Sequence, residues 1–91
     1  MNWHVYILYS QRDKKLYVCC TNNLESRIKR HHAGQVLATK NRRPLTLIHK
    51  EYFEEKSNAF HRERFLKSLW GARDKKKILK NYLTKSSSQK F

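Results

Sequence analysis

Residues 16–34 change their periodicity part-way and constrain the fold of this chain more than any other stretch. They begin with an apolar and aromatic run, Leu16 to Cys20, which is typical of a β-strand. Residues 21–23, Thr-Asn-Asn, follow with side-chain oxygens that can cap a helix. From Leu24 the apolar residues recur at helical spacing, and Gly34 supplies a stop. The stretch predicts a strand that leads directly into a helix over residues 24–33.

The predicted helix has two polar residues on its apolar face. Four residues share one stripe at about 100° per residue: Leu24, Arg27, Ile28 and His31. A buried charge without a partner is costly, so Arg27 requires a carboxylate or a ligand anion on that side. An arginine on the inner face of this helix, beside a strand that carries Tyr17, indicates a functional site.

A carboxylate occupies a similar position on a second predicted helix, which Ser57 or Asn58 can cap and which runs to about Trp70. Its apolar face is formed by Ala59, Leu66 and Trp70. Glu63 falls in the middle of this face, where an ionised carboxylate needs a cation. The residues leave open whether that cation is Arg27 or a metal ion.

The remaining pattern predicts a small α/β (α+β) domain. Residues 3–9 are a β-branched and aromatic run, expected as a central strand covered on both faces, and the short polar segment 10–15 predicts an antiparallel hairpin with residues 15–20. Tyr6 and Tyr17 can share a face, but the sequence does not fix the register. Adding a third strand at 45–53 and a helix at 74–83 gives a three-stranded antiparallel sheet with about three helices. We expect one domain over residues 1–84 and a disordered polar tail over 85–91.

The charge of the chain predicts a polyanionic partner. Its 91 residues carry 21 Lys+Arg against 7 Asp+Glu, a net charge of +14. Nucleic acid is the first candidate, because neutralised phosphates release counterions, and an anionic membrane surface is the second. No apolar run reaches about 18 residues and the N-terminus does not read as a secretory signal. The two adjacent cysteines point to opposite faces of a strand and are unsuited to a mutual disulfide, so we expect a reducing cytoplasm.

Several of these residues together resemble the GIY-YIG endonuclease signature, especially that of small single-domain members similar to the nuclease domain of the bacterial excision-repair incision subunit. The matching positions run from Trp3 to about Trp70: His4-Val5-Tyr6, Tyr17-Val18-Cys19, Asn23-Leu24, Arg27, His31, Arg43-Pro44, Leu47-Ile48, Ala59, Glu63 and Lys67. The resemblance implies a metal-dependent endonuclease that acts on nucleic acid, DNA rather than RNA, in repair or recombination.

The resemblance also implies roles for individual residues. Glu63 would hold a single divalent ion, Mg²⁺ or Mn²⁺, and Arg27 would bind the scissile phosphate. Tyr17 would serve as, or orient, the general base, and Tyr6 and His31 would line the same pocket. Since a free tyrosine has a pKa near ~10, Tyr17 needs a metal ion and a cationic neighbour such as Arg27 to act as a phenolate. The basic residues expected to contact nucleic acid are Lys40, Arg42, Arg43 and Lys67.

Other interpretations remain open at this stage. Cys19 stands where the second motif has glycine, and its side chain can crowd the approach to metal or phosphate, which leaves a non-catalytic nucleic-acid-binding module as the alternative. Arg27 and Glu63 can instead form a structural salt bridge between helices. A basic adaptor for acidic protein or membrane is a third reading. The adjacent pairs Cys19-Cys20 and His31-His32 are poorly spaced for a zinc site.

Overall fold

The structure is a computed structural model that describes the backbone of residues 2–88 and the side chains of residues 2–85. These residues form strands β1 (Trp3–Ser10), β2 (Leu16–Thr21) and β3 (Leu45–Phe53), and helices α1 (Leu24–His32), α2 (Lys56–Lys67) and α3 (Ala72–Ser88). Two short 3₁₀ turns, Lys40–Arg42 and Leu69–Gly71, precede β3 and α3. The strands form one antiparallel sheet in the order β2-β1-β3. The predicted fold class is confirmed.

Strand β1 lies at the centre of the sheet and is buried on both faces, as its sequence predicts. Val5, Tyr6, Ile7 and Leu8 have no exposed surface. Val5 and Ile7 pack in a core with residues of α2, whereas Tyr6 and Leu8 pack on the opposite face with Ile28 of α1. The sheet therefore separates two apolar layers, with α1 on one face and α2 on the other.

The register of the β1–β2 hairpin, which the sequence leaves open, places the two tyrosines on one face. Tyr6 pairs with Cys19, and Leu8 pairs with Tyr17. Directly opposed residues of an antiparallel pair point to the same side of the sheet. Tyr6, Tyr17 and Cys19 consequently share the face that α1 covers.

Helix α1 has the predicted start and stop. The Asn23 side chain accepts a hydrogen bond of 3.1 Å from the Ser26 N–H, which makes Asn23 the N-cap. Gly34 has a φ of +77°, and its N–H donates to the His31 carbonyl at 3.1 Å. This left-handed glycine ends the helix because it bears no Cβ. The short strand-to-helix connection holds α1 against the tyrosine-bearing face.

Helix α2 begins and ends earlier than predicted. It starts at Lys56, so residues 57–58 lie inside the helix rather than cap it. It ends at Lys67, because Ser68 adopts an extended conformation with ψ 170°. The Ser68 hydroxyl donates a hydrogen bond to the Phe65 carbonyl of the last turn. Trp70 therefore lies outside the helix and is 83% exposed, so its predicted place on the apolar face is wrong.

Helix α3 is longer than the predicted helix over 74–83. It continues through Ser88 and includes residues 85–88 of the segment predicted as a disordered tail. Residues 89–91 of that segment lie outside the described residues. Within residues 2–88, no helix is long and apolar enough to cross a membrane.

An ion-pair network that the sequence did not reveal ties α2 to its neighbours. Arg62 of α2 donates to both carboxylate oxygens of Glu51 on β3, at 2.9 and 3.0 Å, and a third contact of 3.4 Å reaches Asp74 on α3. The bidentate geometry fixes the orientation of the guanidinium. These contacts hold α2 and α3 on the sheet face opposite α1.

Candidate active site

A groove of about 430 Å³ runs along the edge strand β2. Its lining includes Tyr17, Cys19, Arg27, Val36, Ala38, Thr39, Glu63, Lys67 and Lys75. Because β2 is at the edge of the sheet, helices packed on opposite faces both reach the groove beside it. Arg27 of α1 therefore lines one wall, and Glu63 of α2 lines the other.

Arg27 brings an unsatisfied donor to the groove. Its Nε is buried and has no hydrogen-bond partner among the described residues. Within residues 2–85 no carboxylate forms an ion pair with Arg27, so the alternative of a structural bridge to Glu63 is not realised there. A partly desolvated guanidinium with a free Nε and no ion-pair partner there is placed to bind an anion, since burial strengthens the interaction with an incoming charge.

Glu63 is paired with a lysine rather than with Arg27. Its Oε2 lies 3.4 Å from Nζ of Lys67, one turn further along α2. The Glu63 side chain keeps 23% of its surface exposed, so it is accessible from the groove. Lys67, which is predicted to contact nucleic acid, thus forms an ion pair with Glu63, the candidate metal ligand.

Tyr6 and His31 form a buried hydrogen-bonded chain with Thr39. The Tyr6 hydroxyl lies 2.9 Å from Nε2 of His31, and Nδ1 of His31 lies 2.7 Å from the Thr39 hydroxyl. Burial, together with the nearby charge of Arg27, lowers the pKa of His31 to about 4. The imidazole is therefore neutral at neutral pH, with one nitrogen donating and one accepting. Sequence reasoning missed Thr39, which lies in a loop without periodicity.

Tyr6 does not reach the groove directly. It is fully buried and does not line the groove, whereas its cross-strand partner Cys19 does. Cys19, which is paired with Tyr6 across the two strands, is thus a neighbour of Tyr6 that does reach the groove. Burial and the neighbouring Cys19 raise the pKa of Tyr6, while Arg27 acts in the opposite direction. Tyr6 and His31 thus do not line the groove themselves but adjoin two residues that do, Cys19 and Thr39.

Tyr17 is held by an aspartate that sequence reasoning missed. Its hydroxyl donates to Oδ2 of Asp13 at 2.7 Å, and this hydrogen bond raises the pKa of Tyr17. Asp13 also lies 3.4 Å from Nε of Arg42. The cation nearest to the Tyr17–Asp13 pair is therefore Arg42, not the expected Arg27. Asp13 lies in the hairpin turn. Aspartate is common in turns because its side chain hydrogen-bonds to the nearby backbone, so its presence in the sequence does not indicate a function.

The predicted nucleic-acid contacts before β3 form a fixed basic segment. Lys40 and Arg42 lie in an exposed 3₁₀ turn. The Arg43 guanidinium donates to the carbonyl oxygens of Lys40, at 3.1 Å, and His32, at 3.3 Å. Arg43 thus closes the loop over the end of α1, where Gly34 leaves space for it. Lys40 and Arg42 are better placed than Arg43 to meet a partner.

The donor set at Glu63 fits a hard divalent cation. No group of three or more His, Cys, Asp or Glu side chains suited to a metal occurs among the described residues. One accessible carboxylate is nevertheless the type of protein ligand that Mg²⁺ uses, since this ion keeps several waters and completes its shell with substrate phosphate. Glu63 can serve in this way once Lys67 moves aside.

The comparisons with known proteins agree with this arrangement. The family model of the GIY-YIG catalytic domain matches residues 2–78. The chain belongs to the GIY-YIG family. This match confirms the resemblance to the GIY-YIG family, and it makes the groove the candidate active site of a nuclease-like domain.

Relatives of this GIY-YIG domain are small proteins of similar length. A UPF0213 protein of Natronomonas pharaonis is 40% identical over 82% of this chain and 88% of its own length. A UPF0213 protein of Clostridium perfringens is 45% identical over 72% of this chain and 71% of its own. The solution NMR structure of a UPF0213 protein from Bacillus halodurans is similar, with a TM-score of 0.56 and 32% identity over 88% of this chain and 84% of that one.

Proposed function

We propose that this chain is an endonuclease that hydrolyses phosphodiester bonds in DNA. The observation that carries the proposal is the unpartnered, buried Nε of Arg27 in the wall of a groove whose other wall holds Glu63. A phosphodiester bound between them would satisfy the guanidinium and lie next to a carboxylate able to hold a cation. The net charge of +14 on the chain supports a polyanionic substrate.

Each groove residue has a role that follows from its contacts. Arg27 would bind the scissile phosphate and stabilise the charge that develops on it. Tyr17 has its hydroxyl hydrogen committed to Asp13, so its oxygen is left to accept a hydrogen bond from the attacking water. This role orients the water and requires no phenolate. Lys67 would move from Glu63 to a substrate phosphate.

The buried residues would act through the groove residues. His31 fixes the orientation of the Tyr6 hydroxyl, and Thr39 fixes the orientation of His31. Glu63 would hold a single Mg²⁺ or Mn²⁺ ion, which when bound supplies Lewis-acid stabilisation to the phosphoryl oxygens. The preference for DNA over RNA and a role in repair or recombination remain part of the proposal, suggested by the family. The two free thiols support a cytoplasmic location.

A cleavage assay with matched variants tests the proposal. We expect cleavage of a panel of single-stranded, duplex, flapped and branched DNA in Mg²⁺ or Mn²⁺. Glu63→Gln should reduce the rate by about 100-fold or more, since it removes the only carboxylate that lines the groove among the described residues. The control is Glu25→Gln, which removes the carboxylate of the other Glu–Lys pair four residues apart, at an exposed place on α1. Equal rates for the Glu63→Gln variant and the wild type would overturn the proposal.

Cys19 favours one alternative, a nucleic-acid-binding module without catalysis. Its side chain lines the groove next to Tyr6 and contributes to raising the pKa of that phenol. If the Cys19 side chain keeps substrate or water away from Tyr6, the chain binds DNA in a salt-dependent way and cleaves none of the panel in any divalent ion.

A further inference from the structure

An exposed apolar turn joins the two helices beside the groove. Leu69 and Trp70, in the 3₁₀ turn between α2 and α3, are 93% and 83% exposed. The turn connects two residues that line the groove, Lys67 at the end of α2 and Lys75 near the start of α3. It therefore lies next to the wall that carries Glu63.

The turn is held rigidly against the end of α2. The Gly71 N–H donates to the Ser68 carbonyl at 3.2 Å, and the Ser68 hydroxyl donates to the Phe65 carbonyl at 2.6 Å. A Cβ on Gly71 would lie 2.2 Å from that same Phe65 oxygen, so α3 begins in direct contact with the backbone of α2. A turn fixed in this way presents Trp70 outward at little entropic cost on binding.

A second exposed apolar residue adjoins the lining of the groove. Leu37 is 80% exposed and lies between Val36 and Ala38, which both line the groove. Two exposed apolar side chains, one aromatic and one aliphatic, thus lie close in sequence to residues that line a basic groove. Charge alone does not explain this pattern, because phosphates are bound by cations and not by Trp70 or Leu37.

We propose that Trp70 stacks on an unpaired base of a nucleic-acid strand whose backbone follows the groove. This inference rests on the nucleic-acid binding in the proposed function and adds the substrate class, a single-stranded or locally unpaired strand. Lys67 and Lys75 beside the turn select an anion, and the indole selects a flat π-face. A nucleic acid offers both together where its bases are unpaired, since a duplex hides the base faces in its stack.

A second copy of the chain fits the turn less well. Two molecules that each carry a net charge of +14 repel one another, and the apolar turn is flanked by lysines that would meet in such a dimer. The charge of the surroundings therefore favours the nucleic-acid strand as the occupant.

Fluorescence titration tests this proposal on the full chain. Trp3, the other tryptophan, packs against Phe60, so Trp3→Phe leaves Trp70 as the sole indole reporter. Without divalent ions, we expect oligothymidylate to quench Trp70 emission, and a blunt duplex hairpin to bind without quenching. Trp70→Ala should weaken oligothymidylate binding by about 5-fold to about 100-fold and leave binding of the hairpin unchanged. Lys75→Ala is the control, because loss of a phosphate contact should weaken both ligands alike.

The outcomes separate this inference from the proposed function. Unquenched Trp70 emission, or unchanged oligothymidylate affinity in Trp70→Ala, would overturn the inference while cleavage that depends on Glu63 still stands. Absence of cleavage with Trp70-dependent binding intact would instead overturn the proposed activity alone. Self-association that Trp70→Ala abolishes, with strand affinity unchanged, would assign the turn to a second copy and overturn the inference. Circular dichroism of the Trp70→Ala variant confirms that an exposed substitution has left the fold intact.

Discussion

The Tyr6 hydroxyl and Nε2 of His31 lie 2.9 Å apart, and both side chains are fully buried. This contact joins the central strand β1 to α1 across the sheet face that carries the candidate active site. Two motif residues that are separated along the chain are thereby fixed relative to each other. The pair also makes stability depend on the protonation state of one imidazole.

Stability should fall on acidification because of His31. Its pKa is about 4 in the folded chain and near the ordinary 6.5 in the unfolded chain, so the unfolded state binds the proton more readily. The contribution of His31 to stability is complete above pH 6.5 and is lost between pH 6.5 and about 4. The difference corresponds to about 3 kcal/mol, measurable by urea denaturation across this range.

The adjacent histidine offers a matched control. His32 is exposed, whereas His31 is fully buried. We expect His31→Phe to flatten the pH dependence of unfolding below pH 6.5 and His32→Phe to retain it. An equally steep profile in His31→Phe would show that another group is responsible.

Two arginines of similar burial should respond in opposite ways to replacement by methionine. Arg27→Met removes a guanidinium whose Nε has no partner among the described residues, so stability should be unchanged or higher by about 1 kcal/mol while cleavage is lost. Arg62→Met leaves Glu51 without its bidentate partner and should cost about 2 kcal/mol while cleavage remains. Thermal unfolding and the cleavage assay, run on both variants, measure the two effects. Strong destabilisation by Arg27→Met would support a structural role for Arg27.

Lys67 should compete with the metal ion for the Glu63 carboxylate. Lys67→Met frees the Glu63 carboxylate, so we expect tighter Mn²⁺ binding together with weaker DNA binding. The effect on stability should be only about 0.3–0.5 kcal/mol, since the pair is a partly exposed contact between residues four positions apart. Titration calorimetry with Mn²⁺ measures the change. Lys29→Met, which breaks the equivalent pair with Glu25, is the control, and equal Mn²⁺ affinity in both variants would contradict the prediction.

The sequence was sufficient for the fold because its periodicities are clean. The predicted third strand over 45–53 has the observed bounds, and Gly34 ends α1 as expected. The end of α2 could not be predicted, because an apolar Trp70 at helical spacing looks like core. The deciding features are the side-chain bond of Ser68 and the contact of Gly71 with the helix backbone, both of which depend on tertiary structure.

The residues of the candidate site could be predicted from the sequence, but the contacts between them and with their neighbours could not. The resemblance named Arg27 and Glu63, and the structure places them in one groove because β2 is an edge strand. It did not indicate that Lys67 would hold Glu63, or that Asp13 would hold Tyr17. Such partners depend on register and on loop conformation, which carry no periodic signal.

Replacing Cys19 should decide whether Tyr6 takes part in catalysis. Cys19→Gly removes the groove-lining side chain next to the Tyr6 phenol, so we expect the Tyr6 hydroxyl to gain access to water and its pKa to fall towards the ordinary value. We expect faster cleavage, at a cost of about 1 kcal/mol in stability for a glycine in a strand. Cys20→Gly is the comparison variant, because Cys20 also lines the groove but packs against the apolar core on the sheet face opposite Tyr6. Faster cleavage in the Cys19 variant alone, lost again when Tyr6→Phe is added, would identify the thiol as a barrier to an otherwise functional site. Unchanged cleavage would show that Tyr6 acts only through its bond to His31.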